Sequence, residues 1–415
     1  MNILLAHPGT QHAPALAREL GNHGLLGEFR TGLALAEDGW LAGLISKGIK
    51  LPGATSFRNR IARGVAPQRI HSAPWHEIRA LVQIRRGRDP VEALHERNRR
   101  FQEGIPEPTI RNADAIISFD TSSWILAERA ESAGKPLWLE RTINHPLQWM
   151  EAQSDLHEHY PQWQLKPEPR LPDLVAAEER EHALAHRIVV GSGFVARTLE
   201  SMGVNRKKIV VNPYGVSWDA FAAPEIKDGE PPGTSRPIRF LFAGSIGARK
   251  GVPVLLDAWK SLGYRKGEAE LWLVGPVAET QRRLIPSTPG VKLLGRVAKA
   301  EMASVYRQCD IFVLPSFSEG FPLVLLEALA AGLPVITTPN TGAGDLRDHG
   351  ADDCVALVDA GSVDGLVEAM RVWGDRPPGP DAVKAACDKL RSRYSWQAYG
   401  DRWAALLNGS LASDL

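Results

Sequence analysis

Cysteine is scarce, with Cys309, Cys354 and Cys387 the only three in 415 residues. All lie in the second half without metal-ligand spacing, and an odd count cannot close a disulfide framework. A reducing compartment is expected. Net charge is almost absent, 49 basic against 48 acidic side chains, so any attraction to nucleic acid or membrane must be local rather than global. No apolar run nears the roughly 20 residues a membrane helix needs, and Met1-Asn2-Ile3-Leu4-Leu5-Ala6 lacks the basic start and long apolar stretch of a signal peptide. These absences predict a cytoplasmic protein. No Asp-x-Asp occurs, and Asp155-Leu156-His157-Glu158-His159 lacks the His-Glu-x-x-His spacing that puts two ligands on one helical face; no metal and no cofactor are expected. The first loop, His7-Pro8-Gly9-Thr10-Gln11-His12, lacks Gly-x-Gly-x-x-Gly, which argues against a nicotinamide-dependent oxidoreductase.

What is present is a repeated rhythm. The chain is too long for one ordinary core and suits two. Ile3–Ala6 reads as a short buried strand, followed by a turn and a helix from Ala13 to Leu20. Ala115–Phe119, Leu137–Leu139 and Arg187–Val190 read as further buried strands, with a helix from Trp124 to Ala133 among the segments between them. Proline and glycine break the pattern between Pro224 and Pro237. Strands then resume at Arg239–Ala243, Leu271–Val274, Ile311–Leu314 and Pro334–Thr337, alternating with helices at Pro253–Leu262, Ala300–Gln308 and Pro322–Ala331. Alternation of this kind predicts doubly wound parallel sheets whose ligands sit at the carboxyl ends of the strands. The expected division is 1–223, 237–385 and a terminal helical segment, 386–415, whose Trp396, Tyr399, Trp403 and Leu406 form an apolar face that packs back on the first domain.

Chemistry concentrates in the second half. In Pro315-Ser316-Phe317-Ser318-Glu319-Gly320-Phe321-Pro322-Leu323-Val324-Leu325-Leu326-Glu327, Glu319 ends a loop leaving a strand, Pro322 suits a first helical turn, and Glu327 lies among apolar neighbours. Helix N-terminal amides favour phosphate, so a nucleotide diphosphate could lie across Phe321, Leu323 and Val324, with Glu327 accepting from ribose hydroxyls. Taken alone, Glu319 could equally be a helix cap and Glu327 a half-exposed surface residue. The second segment, Phe240-Leu241-Phe242-Ala243-Gly244-Ser245-Ile246-Gly247-Ala248-Arg249-Lys250-Gly251, is a strand and a small-residue loop carrying two adjacent cations. Small residues allow close backbone approach, and Lys or Arg can neutralise a departing diphosphate.

The paired acids, Glu319 and Glu327, together with Gly332-Leu333-Pro334-Val335-Ile336, resemble the Glu-x7-Glu signature of retaining glycosyltransferase family 4. That resemblance implies a GT-B fold, two Rossmann-like doubly wound domains facing a cleft, and transfer of a hexose-type sugar from a nucleotide-sugar donor. It implies Glu319 facing the sugar, Glu327 the ribose, and Gly320, Phe321, Pro322, Leu323, Val324 and Gly244 lining the donor. The loop from Gly244 to Gly251 resembles the family's Gly-Arg…Lys-Gly loop, which implies a phosphate-binding role for Lys250; Ser245 stands where many members carry the phosphate-binding Arg, with Arg249 as the candidate to compensate. Val210-Val211-Asn212-Pro213-Tyr214-Gly215-Val216 resembles the approach to the interdomain linker, and Leu293-Leu294-Gly295-Arg296-Val297 resembles a loop passing the base, with Arg296 and Val297 as candidates. On the acceptor side, His145 is similar to a sugar-contacting histidine, with Arg141 four residues earlier, and Gly9 resembles the glycine of the first turn. The acceptor itself is not legible.

Between Arg58 and Arg111 arginines outnumber acids, which is ordinarily a solvated face; the functional reading is an anionic or lipid-linked acceptor, or peripheral membrane contact through 58–111. No nucleic-acid partner is expected. A non-catalytic nucleotide-sugar-binding protein, or another GT-B enzyme such as an epimerase or phosphorylase, remains the alternative.

Overall fold

The computed structural model describes residues 1–9, 11–38, 60–163, 172–222, 236–285 and 288–409. Most of the proline-rich break between Pro224 and Pro237 lies outside the described residues, as do Thr10 and Arg58. The first sheet has seven strands in the order β5-β2-β1-β6-β7-β8-β9. These are β1 (Ile3–His7), β2 (Leu26–Thr31), β5 (Ile70–Ser72), β6 (Ala115–Phe119), β7 (Leu137–Arg141), β8 (Arg187–Val190) and β9 (Ile209–Val211). A two-residue pair, β3 (Leu35–Ala36) and β4 (Ile61–Ala62), stands beside it. The second sheet has six strands in the order β12-β11-β10-β13-β14-β15. They are β10 (Ile238–Ala243), β11 (Ala269–Val274), β12 (Val291–Gly295), β13 (Ile311–Leu314), β14 (Val335–Thr337) and β15 (Val355–Leu357).

Every pairing is parallel. Helices cover both faces, so the central strands are buried throughout: β1, β6, β7 and β13 expose no residue. That is why they read as unbroken apolar runs rather than as alternation. Each fully buried Leu, Ile or Phe there contributes about 1.5–3 kcal/mol relative to exposure. Most strands absent from the sequence reading are edge or short ones; β2, six residues long and inside the sheet, is the exception. β2 carries Gly27, Glu28 and Arg30; β12 alternates between half-buried and exposed positions; β9 and β15 are three residues long.

In both sheets the order reverses beside the first strand, between β1 and β6 and between β10 and β13. Such a reversal opens a crevice at the carboxyl ends, where loops diverge to opposite faces. The two crevices meet. Ser318 Oγ donates to Asn144 Oδ1 at 2.7 Å, Ser192 Oγ to Gly320 O at 2.6 Å, and Gly193 N to Asp345 Oδ2 at 2.7 Å.

The last helix, Trp396–Leu407, returns to the first sheet. Tyr399 OH donates to Glu140 Oε1 at 3.1 Å, the Trp403 and Trp138 rings lie 5.8 Å apart, and Arg402 grips Asn212 Oδ1 and Pro213 O, both at 2.7 Å. The chain crossing between sheets is thereby held at Asn212–Pro213 by the terminal helix.

Gly251 illustrates how tightly the second crevice is built. Its φ of 72° is left-handed, and a Cβ there would stand 1.9 Å from Pro315 O. Gly251→Ala is therefore expected to cost about 1–3 kcal/mol from the backbone alone, with the clash added. Urea unfolding checks this; an unchanged midpoint would refute the packing described.

Candidate active site

β10 ends in a loop whose shape depends on missing side chains. A Cβ on Gly244 would lie 2.9 Å from Lys250 Cδ, and one on Gly275 would lie 1.8 Å from Gly244 O. The first absence makes room for the lysine stem; the second lets the turns after β10 and β11 touch. The loop then forms a short 3-10 turn, Ala248–Lys250, ended by Gly251. From it Lys250 Nζ reaches Glu319 Oε1 at 2.7 Å, and Arg249 Nη1 reaches the same oxygen at 2.9 Å and Ser318 O at 2.5 Å. Ser316 Oγ lies 3.0 Å from that oxygen and 3.0 Å from Arg249 O. Its single proton serves one of them at a time.

Glu319 is 8% exposed, too buried to remain charged without partners. The two cations supply them. Burial pushes the Lys250 ammonium below its ordinary range, the Glu319 carboxylate opposes that, and Arg249 adds to it. Ser245, where an arginine is common in the family resembled, is exposed. Arg249 is already committed to Glu319 and Ser318, so its capacity to stand in for that arginine is limited.

The Glu319 loop is clamped from the segment after β14. Glu319 N donates to Asn340 O at 3.0 Å, Thr338 Oγ1 to Ser316 O at 2.5 Å, and Asn340 Nδ2 to Phe317 O at 3.1 Å. The helix that follows is Leu323–Ala330. Pro322 is its cap rather than its first turn, a correction to the expectation, because Leu325 N bonds Pro322 O while Pro322 keeps an extended ψ of 111°. Among the described residues, the amides of Gly320, Phe321, Leu323 and Val324 find no hydrogen-bond acceptor. Phe321 turns its ring inward to stack on Tyr394 at 5.6 Å, so it offers backbone rather than side chain. The result is a run of amides with the positive end of a helix behind them, suited to an anion.

Glu327 lies farther along this helix and is half-buried. Tyr306 OH, fully buried, donates to Glu327 Oε2 at 3.1 Å. Burial raises the Glu327 carboxyl above its usual range, with Tyr306 and Lys299 opposing. At the far edge, Gly295 accepts from Gly275 N at 2.8 Å, and beyond it Arg296 is exposed and Val297 half-buried.

On the first-sheet side, the structure corrects Arg141. Its side chain is fully buried and donates to Glu178 Oε2 at 2.6 Å, Ile143 O at 2.9 Å and Asn144 O at 2.7 Å. It braces the loop from behind and does not open toward an acceptor. His145 is 4% exposed and caps the helix Pro146–His159, with Nδ1 accepting from Leu147 N at 3.3 Å. Its neighbour Asn144 makes the contact with Ser318. Gly9 lies over a buried ring: a Cβ there would be 2.7 Å from His7 Nε2.

Lys250, Arg249 and Glu319 are thus joined directly, and Gly320, Phe321, Pro322, Leu323 and Val324 continue from Glu319. No hydrogen bond or ion pair among the described residues joins Glu327, Arg296, Val297 or Gly9 to Lys250, Arg249 or Glu319. Ser316, Ser318, Asn144 and Tyr306 were missed by sequence reasoning. The serines flank Glu319 and could have been suspected from that; nothing in the local sequence connects Asn144 or Tyr306 to it.

Two doubly wound domains meeting at their carboxyl edges, with a cationic loop opposite unsatisfied helix amides, define a GT-B architecture. Residues 237–373 match the family described as Glycosyl transferases group 1. It is 27% identical over 226 residues to a putative colanic acid biosynthesis glycosyltransferase of Escherichia coli K12, a match covering 51% of this chain and 54% of the relative. It is 32% identical over 234 residues to D-inositol 3-phosphate glycosyltransferase of Pseudarthrobacter chlorophenolicus, covering 51% and 52%. The chain thus spans about half the length of the curated relatives it matches. Anabaena HepE, solved with UDP and glucose, superposes with a TM-score of 0.61 at 16% identity over 99% of this chain and 100% of its own. Sucrose-phosphate synthase from Thermosynechococcus elongatus gives 0.64 at 16% identity over 99% and 98%. Those likenesses concern the fold.

Two predictions follow from the burial of charge. For Glu327, whose folded pKa is raised, the stability contribution is complete below the unfolded carboxyl pKa and is lost as pH rises through the folded value. Glu327→Gln should therefore leave the ligand-free protein as stable or more stable at pH 7, with the difference vanishing in acid. Thermal melts across pH check this, and a destabilised glutamine variant at pH 7 would contradict it. For Arg141, replacement by Met breaks its buried ion pair with Glu178 and should cost about 3–5 kcal/mol, measured by denaturant unfolding.

Proposed function

We propose that this chain transfers a hexose-type sugar from a nucleotide diphosphate sugar to an acceptor on the first-sheet side, retaining the anomeric configuration and needing no metal. The observation that carries the reading is the junction of Lys250 and Arg249 with Glu319 beside the unsatisfied amides of Gly320, Phe321, Leu323 and Val324. An anion laid on those amides meets two cations already in place. No reorganisation is then required as charge builds on the leaving diphosphate.

In this reading Glu319 positions the sugar, and Glu327, held by Tyr306, accepts from ribose hydroxyls. Arg296 and Val297 pass the base, His145 contacts the sugar, and Gly9 leaves room for the acceptor. The diphosphate leaves from the face the acceptor approaches, through an oxocarbenium-like transition state that charge placement and orientation stabilise. Relatives support a nucleotide-sugar donor: besides those above, one is described as a GDP-mannose-dependent phosphatidylinositol monomannoside mannosyltransferase of Mycobacterium tuberculosis. The base and sugar differ among them, so neither is assigned here.

A second reading, binding of a nucleotide sugar without transfer, is favoured by a specific observation: Ser245 replaces a common phosphate-binding arginine, and Arg249 is engaged by Glu319. Donor turnover separates the two. UDP, GDP and ADP sugars should be screened by thermal shift, since a ligand of the folded state raises the melting temperature, and then by product analysis with EDTA present. One nucleotide should stabilise the protein and its sugar be consumed. Lys250→Ala should cut turnover about 10²–10³-fold, the usual cost of one preorganised donor. Glu327→Gln should weaken nucleotide binding by about 1.5–3 kcal/mol, the range for hydrogen bonds to charged groups. Full activity in Lys250→Ala would remove the leaving-group role, and stabilisation without turnover would leave the binding protein.

A further inference from the structure

Nine large hydrophobic side chains are exposed among the described residues, and five of them share one place. Trp75, Ile78, Leu81 and Val82 lie on the helix Pro74–Arg85, and Leu94 on the adjoining helix Pro90–Glu103. Trp75 is the most exposed of the nine, at 76%. Scattered single hydrophobics are normal on a surface, whereas a cluster marks an interaction face. Helical spacing explains the cluster. Positions 75, 78 and 82 form one stripe with 81 at its margin, while Glu77 and Ala80 point inward and are buried.

The charge beside the stripe is of one sign. Arg79 interrupts it, and Arg85 and Arg86 end it; none of the three forms an ion pair among the described residues. Elsewhere in the arginine-rich region much of the charge is consumed locally, although Arg63, Arg69 and Arg97 form no ion pair among the described residues. Arg60 pairs with Glu77, Arg99 and Arg100 with Glu96, Arg111 with Glu107, and Arg88 lies 3.6 Å from Glu92. The only acid on Pro74–Arg85 is Glu77, buried and paired. Within the basic region this helix is where an exposed apolar stripe and three guanidinium groups without ion pairs coincide.

The helix also stands at the carboxyl edge of the first sheet. Ala73 N bonds Thr31 O at 2.8 Å, and a Cβ on Gly32 would touch both Pro8 O at 2.4 Å and Glu77 Oε2 at 3.2 Å. Trp75 thus begins its helix beside the loop after β1.

We propose that this face docks on an anionic phospholipid surface, with Trp75, Ile78, Leu81 and Val82 entering the interfacial region and Arg79, Arg85 and Arg86 meeting the headgroups. A basic helix with an exposed apolar face has the composition of an interfacial one, and tryptophan favours the headgroup level. Charge complementarity selects the bilayer over a second copy, because two such faces would bring like charges together. The docking does not require the transferase reading; that the acceptor is lipid-borne rests on both.

The test is flotation of the full chain with vesicles of phosphatidylglycerol and phosphatidylcholine, and with phosphatidylcholine alone. Neither donor nor acceptor is needed, so failure here is distinct from failure of the transferase proposal. The chain should float with the anionic vesicles and less so at high salt. Arg79→Gln, Arg85→Gln and Arg86→Gln should each lower partitioning about fivefold, and Trp75→Ser with Leu81→Ser should abolish it. Far-ultraviolet dichroism and nucleotide-induced thermal shift of the same preparations establish that the variants fold. Absence of wild-type flotation, or flotation unchanged by these substitutions, would overturn the proposal. So would a lipid-free dimer that the apolar substitutions dissolve, which would assign the face to a second copy.

Discussion

A single carboxylate oxygen organises the second crevice. Glu319 Oε1 draws Lys250 and Arg249 from the loop after β10 and lies within reach of Ser316 in its own loop after β13. It therefore ties the two loops that diverge at the reversal of strand order. Burial makes the tie strong in one sense and demanding in another. A nearly buried carboxylate without cations, or a buried lysine without a carboxylate, would carry an uncompensated charge, so neither loop holds its shape alone. The arrangement still leaves capacity. An ammonium has three donors, so in the proposed reaction Lys250 can keep Glu319 and turn its remaining N–H groups to an incoming diphosphate. Preorganisation of this kind lets a catalyst stabilise developing charge without moving dipoles during the reaction.

The same loop carries two of the contacts between the domains. Ser318, one residue before Glu319, bonds Asn144, and Gly320, one residue after, is pressed so closely on the first domain that a Cβ would stand 1.8 Å from Thr142 O. Arg141 fixes that partner loop from within by binding the carbonyls of Ile143 and Asn144. A chain of contacts thus runs from Glu178 through Arg141 and Asn144 to Ser318 and the acidic loop. In the proposed reaction, separation of the domains would break the Ser318–Asn144 and Ser192–Gly320 contacts on either side of Glu319, so domain closure and the position of Glu319 are mechanically one variable.

Much of this was legible in the order of residues, for an identifiable reason. The central strands are covered on both faces and so appear as apolar runs; the loops after them are punctuated by glycines that tolerate no side chain, such as Gly244 and Gly251. Lys250 and Glu319 could be paired as candidates because each follows such a strand. What escaped was whatever depends on contacts between distant segments. Asn144 meets Ser318 across 174 residues, and Tyr306 meets Glu327 from another helix. Arg141 misled because a cation after a strand reads equally well as a ligand contact or a buried brace. Only the three acceptors around it, two of them backbone carbonyls, decide for the brace.

The first domain carries a further concentration of buried ionisable groups that a purely structural account would not require. Asp120, Glu140, Arg141, Glu178 and Glu181 are each 3% exposed or less. Apolar side chains of similar volume would as a rule be no less stable there. Their common property is position: Glu181 caps backbone amides of Thr121 and Ser123 after β6, Asp120 takes Thr142 Oγ1 after β7, and Glu140 ties His12 and Tyr399. Each holds a loop at the carboxyl edge or the helix returning to it. Fixed backbone at that edge is what an acceptor would meet, and apolar packing cannot specify a loop that must remain open to solvent. Hydrogen-bonding ionisable groups buried just beneath the crevice are thus the physical means by which irregular backbone is kept in one shape.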